Sequence, residues 1–319
     1  MNKNVIVGVD IGGTTVKIGF ISLNGDFNQK WEVDTDTSNG GANILKNIWD
    51  SIVEKAASFS IEISEIAGIG IGAPGFIDGE KGYVFDAVNI GWKEYPLAAE
   101  LSKLSGLPVY LENDANIAVL GENWLGAGEN ADNVIAITLG TGVGGGIITN
   151  GKIVNGVNGT AGEIGHITVE PDGYQCNCGR KGCLETIASA TGIARQAMKI
   201  IEKKPASKLA EIYNVTQKIT SKDIFELAKS GDADSKQIIE HTADIIGLTI
   251  ANLAMTLNPS KILIGGGVSK AGEQLLQPIK NAFTKYALPR VSEACEIRIA
   301  ELGNDAGMIG AAYLVKSHL

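Results

Sequence analysis

VIVGVDIGGTTVKIGFISL, residues 5–23, reads as a β-hairpin: a run rich in β-branched residues, a tight Gly-Gly turn, and a second such run. The same plan returns in VIAITLGTGVGGGIITNGKIV, residues 134–154. A strand, glycine turn and strand that occur twice predict an internal duplication. A turn made mostly of glycine exposes successive backbone N–H groups with no Cβ in front of them, which makes an anion nest. Two such turns, one from each of two domains and facing each other across a cleft, would hold the phosphates of one nucleotide. The plainer alternative is that these glycines only close tight hairpins.

Other phosphate-binding patterns fit less well. Gly140, Gly142 and Gly145 match G-x-G-x-x-G, as do Gly70, Gly72 and Gly75. The dinucleotide motif needs a helix to follow, whereas GIITNGKIV continues as strand with Asn150-Gly151 as a type I′ turn, and the other match runs into Pro74. No G-x-x-x-x-G-K-[ST] is present. Periodicity predicts two α/β lobes. The first has strands near 4–10, 16–23, 28–34, 66–72 and 108–112 with helices at 41–59 and 95–105. The second has strands near 133–139, 144–154 and 260–264 with helices at 190–203, 220–229, 234–257 and 271–286. Segment 304–315, NDAGMIGAAYLV, has small residues at helical spacing and is expected to pack back on the first lobe.

The chain has 319 residues and is 44% hydrophobic, enough for its own cores. Its net charge of −9 and lack of a basic tract disfavour nucleic acid or an anionic membrane as the main partner, so a small ligand is expected. The N-terminus meets polar and glycine residues before any signal-like run, which predicts a cytoplasmic protein with reduced thiols. Three of its four cysteines nevertheless lie in CNCGRKGC, residues 176–183. With His166 upstream, Cys176, Cys178 and Cys183 make a complete tetrahedral Zn²⁺ set, and because protein fills all four positions the ion is expected to be structural. Gly179 and Gly182 would let the loop fold back on the metal. Isolated Cys295 reads as core filler.

Taken in order, DIGGTTVK, GAPG at 72–75, END at 112–114, LGTGVGGG, GEIGH at 162–166, CNCGRKGCLE and LIGGG resemble the motif series of the ROK family of sugar kinases and sugar-sensing repressors. The resemblance covers essentially the whole chain. AVNIGW at 87–92 and the cysteine run are most similar to the bacterial members that phosphorylate glucose. The resemblance implies a two-lobe actin-like ATPase fold of the ribonuclease H-like class with a central interlobe cleft. It places residues 1–113 plus 304–319 in a small lobe and 114–303 in a large lobe carrying the zinc loop, hinged near 113 and 303.

The resemblance also implies ATP, Mg²⁺ and a hexose as ligands, and a homodimer or homotetramer. Asp10 would handle Mg²⁺ through water, with Gly12, Gly13, Thr14, Thr141 and Gly142 on phosphates. Lys17 would reach the same cleft or stand as a solvated strand lysine. Gly265, Gly266 and Gly267 would end a strand and open a helix against ribose or phosphate. Asp114 would be the general base, taking the proton of a sugar hydroxyl as it attacks the γ-phosphate; at a strand-to-helix junction it would serve equally as an N-cap. Gly75, Asn89, Asn113, Glu163, His166 and Glu185 would line the sugar site, with one His166 nitrogen on zinc and the other toward sugar. Glucose is the expected substrate; N-acetylmannosamine, fructose or allose kinases, and a sugar-sensing regulator, are the alternatives. Against the regulator, the first nucleotide strand starts at residue 5, without a preceding helix-turn-helix segment.

Overall fold

The computed structural model describes residues 3–319. Contacts divide the chain into two compact units. The first comprises the chain through Asn130, Ile153–Ala161 and Leu302–Leu319; the second comprises Ala131–Lys152 and Gly162–Glu301.

In the first unit β1 (Val5–Ile11), β2 (Thr15–Ser22), β3 (Phe27–Asp34), β4 (Ile66–Ala73) and β8 (Val109–Asn113) form a sheet of order β3-β2-β1-β4-β8. β1 pairs antiparallel with β2 and parallel with β4. Its side chains split by alternation. Val5, Val7, Val9 and Ile11 join the core that holds Ile44, Ile48 and Ile52 of α1 (Ile44–Ser58). Ile6 faces Met308, Ile309 and Ala312 of the C-terminal helix, Ala306–Lys316. Between β4 and β8 in the chain, a small antiparallel sheet of β5 (Phe76–Asp78), β6 (Tyr83–Ala87) and β7 (Trp92–Tyr95) precedes α2 (Leu97–Ser105).

The expected break at residue 113/114 is not where the units divide. α3 (Asp114–Leu125) packs against the C-terminal helix, where a Cβ on Gly121 would collide with the Ala306 carbonyl and one on Gly310 with that of Ile117. Only glycine permits this backbone approach, and it keeps α3 in the first unit.

The second unit repeats the plan. β9 (Val134–Leu139), β10 (Val143–Thr149), β11 (Lys152–Ile153), β12 (Lys261–Gly265) and β13 (Glu296–Ile299) take the order β11-β10-β9-β12-β13, with β9 antiparallel to β10 and parallel to β12. First, second, third, fourth and fifth strands occupy corresponding places in both sheets, so the duplication read from the two hairpins extends to the whole sheet and defines the ribonuclease H-like order. Asn150 (φ 52°) and Gly151 (φ 73°) make the expected turn, dividing the single strand expected over 144–154.

Helices α4 (Glu185–Ala188), α5 (Ala190–Lys203), α6 (Lys208–Thr216), α7 (Ser221–Lys229), α8 (Ala233–Leu257), α9 (Glu273–Tyr286) and α10 (Pro289–Ala294) complete this unit. α8 is long and apolar enough to cross a membrane, but most of its apolar window is buried among protein side chains. The Asp232 side chain caps its start, and Asn258 in the left-handed conformation ends it before Pro259. α6 and β13 are absent from the sequence reading, being short segments with many charged or polar neighbours.

Candidate active site

The first unit carries one group of candidate residues. Asp10 lies near the end of β1, and Lys17 is its cross-strand partner on β2. The turn between them is clasped from β3's end: Thr35 N–H donates to the Thr14 carbonyl (2.9 Å) and its Oγ1 to the Gly12 carbonyl (2.8 Å). Position 12 is closed to a side chain, because a Cβ there would crowd the Thr15 carbonyl. Gly13 is different: a Cβ there meets nothing within 4 Å, and its φ lies outside the left-handed range. Neither packing nor backbone geometry requires glycine at 13.

Asp10 packs against Gly307, in the first turn of the C-terminal helix. Burial pushes its carboxyl up to about 6; Lys17 pulls it down and Asp114 pushes it further up. The Lys17 ammonium donates to the Asn304 carbonyl at 3.1 Å, so it is held in this group rather than free in solvent.

Asp114 is the first residue of α3, and the cap is Asn113. Asn113 Oδ1 accepts from the N–H groups of Ala115 (2.9 Å) and Asn116 (3.4 Å), while its Nδ2 donates to the Gly75 carbonyl (3.1 Å). The capping role open to Asp114 thus falls to its neighbour. Asp114 Oδ1 accepts from Ala115 N–H at 2.9 Å. It remains solvent-accessible, yet the protein around it desolvates its carboxyl and raises it above the ordinary range, against the lowering by the Ala115 N–H. Gly75 has φ 97°, and a Cβ on it would collide with the Asp86 carbonyl; this glycine is structural. Asn89 stands exposed in the turn between β6 and β7.

The second unit carries the other group. The Gly140 N–H donates to the Gly142 carbonyl (2.9 Å), and α5 braces the turn from outside through Ala190 N–H to Gly140 and Thr191 Oγ1 to Thr141. No backbone or side chain other than the Gly142 carbonyl, at 3.9 Å, comes near a Cβ built on Gly140. At the third glycine cluster, Gly266 has φ 83° and a Cβ would lie 2.5 Å from the Leu139 carbonyl, whereas one on Gly267 meets nothing within 4 Å. The chain there does not enter a helix directly as expected. A 3₁₀ turn, Gly267–Ala271, intervenes, and α9 begins only after Gly272.

The cysteine loop closes as its glycines predict, with Gly179 at φ 87° and Gly182 at φ 71°. His166, Cys176, Cys178 and Cys183 bring one donor atom each to within 4.8 Å of one another. The Cys178–Cys183 sulfur pair and the Cys176 Sγ–His166 Nδ1 pair are each 3.6 Å apart. Tetrahedral zinc with ~2.3 Å bonds to sulfur sets an S–S edge of roughly 3.8 Å, so the donor set fits such an ion. Burial raises the Cys183 thiol to about 12 and raises Cys176, while the Arg180 backbone N–H holds Cys178 down at about 6. His166 turns its other nitrogen, Nε2, toward Glu163 Oε2 at 3.9 Å. One imidazole nitrogen thus belongs to the metal group and the other to the sugar candidates.

Glu185, expected on the sugar site, has a carboxylate that also joins two motifs. Oε1 lies 3.5 Å from Cys176 Sγ, and Oε2 accepts from Val143 N–H at 3.2 Å, against Gly142. It links the cysteine loop to the Gly140–Gly142 turn. Thr35 and Thr191, which brace the two turns, escaped the sequence reading because nothing local marks them.

Two similar strand orders, each presenting a bare glycine turn, with paired carboxylates in one unit and a Cys₃His group in the other, describe a two-lobe actin-like ATPase. The chain belongs to the ROK family, whose pattern matches residues 6–318. It is 53% identical to a glucokinase from Halalkalibacterium halodurans, over 99% of this chain and 96% of that one. It is 30% identical to a xylose repressor from Caldicellulosiruptor bescii over 100% of this chain and 80% of the repressor. Among solved structures it is similar to a ROK family glucokinase from Streptomyces griseus in complex with glucose and AMPPNP, with TM-score 0.78, 36% identity, and coverage of 98% of this chain and 99% of that one.

Proposed function

We propose that this chain transfers the γ-phosphoryl group of ATP to the 6-hydroxyl of glucose, with Asp114 as general base. The observation that carries the reading is Asp114 itself: a desolvated carboxylate released from capping by Asn113 and near enough to Asp10 for the two to repel, in a chain 53% identical to a glucokinase. Asp114 takes the hydroxyl proton as the sugar oxygen forms its bond to Pγ; the bond from Pγ to the bridging oxygen breaks, and ADP leaves. The glycine turns offer bare N–H groups to the phosphate oxygens.

Asp10, buried beside a second carboxylate with Lys17 as its opposing charge, suits a Mg²⁺ site held through water. Mg²⁺ bound there would neutralise charge developing on the phosphates. The Cys₃His group would hold zinc, which fixes His166 so that Nε2 and Glu163 bind sugar hydroxyls. Asn89, Asn113, Glu185 and the Gly75 backbone complete the sugar site in this reading.

ADP release measured over glucose, N-acetylmannosamine, fructose and allose, with and without Mg²⁺, tests it. Glucose is expected to give the highest kcat/KM, and only with the cation. Turnover of none of the four sugars would favour a sugar sensor, and preference for another hexose would overturn the glucose assignment.

A further inference from the structure

One buried charge has no part in the chemistry above. Glu112 is the penultimate residue of β8, two residues before Asp114, and is 4% exposed. Among the described residues no cation meets it; three amide donors do. Its Oε1 accepts from Asn113 N–H (2.8 Å) and Asn116 Nδ2 (3.1 Å), and its Oε2 accepts from Asn155 Nδ2 (2.9 Å). Asn116 Nδ2 also donates to Asn155 Oδ1 at 3.0 Å, which closes a ring of three side chains.

Asn155 lies in Ile153–Ala161, the segment that joins the first unit although the residues on both sides of it belong to the second. That segment leads along the chain directly into Gly162–His166, which carries Glu163 and His166. The ring therefore ties the strand end that presents Asn113 and Asp114 to the segment that precedes the sugar motif.

Resting on the function proposed above, we infer that Glu112, Asn116 and Asn155 form a latch of positioning residues that holds Asp114 in register for proton abstraction. The ring closes only because Glu112 accepts on both oxygens. Glutamine cannot replace it. Its carbonyl must face Asn113 N–H, so its NH₂ faces Asn155, which must turn its oxygen there. Asn155 then presents NH₂ to Asn116, and whichever way Asn116 turns, either two donors or two oxygens oppose each other. A buried group left unpaired in this way drives local rearrangement. Adding Asn155→Asp to Glu112→Gln removes the conflict, because the aspartate accepts both from the introduced glutamine amide and from Asn116.

The test compares Glu112→Gln, Asn155→Ala and the double variant Glu112→Gln/Asn155→Asp with the wild-type chain in glucose phosphorylation. Hydrogen exchange over residues 112–118 and 153–161 is followed in parallel. Glu112→Gln is expected to lose roughly 10–100-fold in kcat, the scale of a small misplacement of a reacting group, with KM for ATP within about twofold. Exchange in both segments should quicken, and the double variant should regain kcat to within about threefold together with slow exchange. Asn155→Ala, which leaves the carboxylate in place, should lose about tenfold and serves if Glu112→Gln does not fold. Wild-type kcat in the single variants, or a double variant no better than Glu112→Gln, overturns the latch. A wild-type chain that turns over no glucose refutes the function, while the exchange data still decide whether the ring holds these segments.

Discussion

Gly13→Ala separates the two explanations of a glycine-rich turn. A Cβ at position 13 meets no protein atom within 4 Å, and φ there is not left-handed, so the fold should accept alanine without strain. Because alanine has fewer unfolded conformations than glycine, the variant should be as stable as the wild type or more so by about 0.4–1 kcal/mol. If the Gly12–Thr14 turn receives phosphate oxygens, the added methyl occupies the space they need, and KM for ATP should rise about tenfold or more, equivalent to a loss of about 1.4 kcal/mol. Gly266→Ala provides the contrast. Its φ of 83° and the Leu139 carbonyl 2.5 Å from the added carbon should destabilise the fold by more than ~1 kcal/mol. Thermal melts and initial rates at varied ATP distinguish the two. A Gly13→Ala enzyme with unchanged KM for ATP would refute the assignment of this turn to phosphate.

Asp10 is held at about 6 by burial, above its unfolded value of 3.8, so the folded state binds the extra proton. The group costs nothing below pH ~4, and stability is lost as pH rises through about 6, to roughly 3 kcal/mol above it. Metal-free Asp10→Asn should accordingly melt higher than the wild type at pH 7.5 and equally at pH 4, while losing activity; an unchanged melting temperature at pH 7.5 refutes the burial cost. With both Asp10 and Asp114 raised and both needed ionised, kcat/KM for glucose should fall on acidification from about pH 6, not pH 4. A profile flat to pH 5 contradicts that pairing. Cys178→Ser should lower metal content and raise KM for glucose about 10–100-fold; KM for ATP should shift by only a few-fold, through Glu185 and Val143. Intact glucose affinity in a metal-free variant removes the scaffold role of the ion.

Features set by local chemistry were legible in the sequence. Both hairpins follow from β-branched runs around glycine turns, and the metal group from four ligands within one short stretch. The elements that depend on distant partners were not. α3 belongs with the first unit through Gly121 and Gly310, far apart in sequence, and no local pattern reports that approach. Asn113 and Asp114 are both good caps, and only the backbone shows that Asn113 stands outside the helix. Glu112 sits inside the END motif, but its role depends on Asn155, 43 positions away. The order of three glycine clusters was visible; which glycines are open and which are packed was not, because the difference lies in what their absent side chains would touch.

In the proposed reaction Asp114 accepts the proton of the sugar hydroxyl. Single-turnover phosphorylation of glucose by Asp114→Asn, an isosteric change that keeps the α3 cap on Asn113, tests it most directly. The chemical step should slow by about 10²–10⁴-fold while nucleotide affinity stays near wild type. Single-turnover rates within a few-fold of wild type would assign the proton to another group.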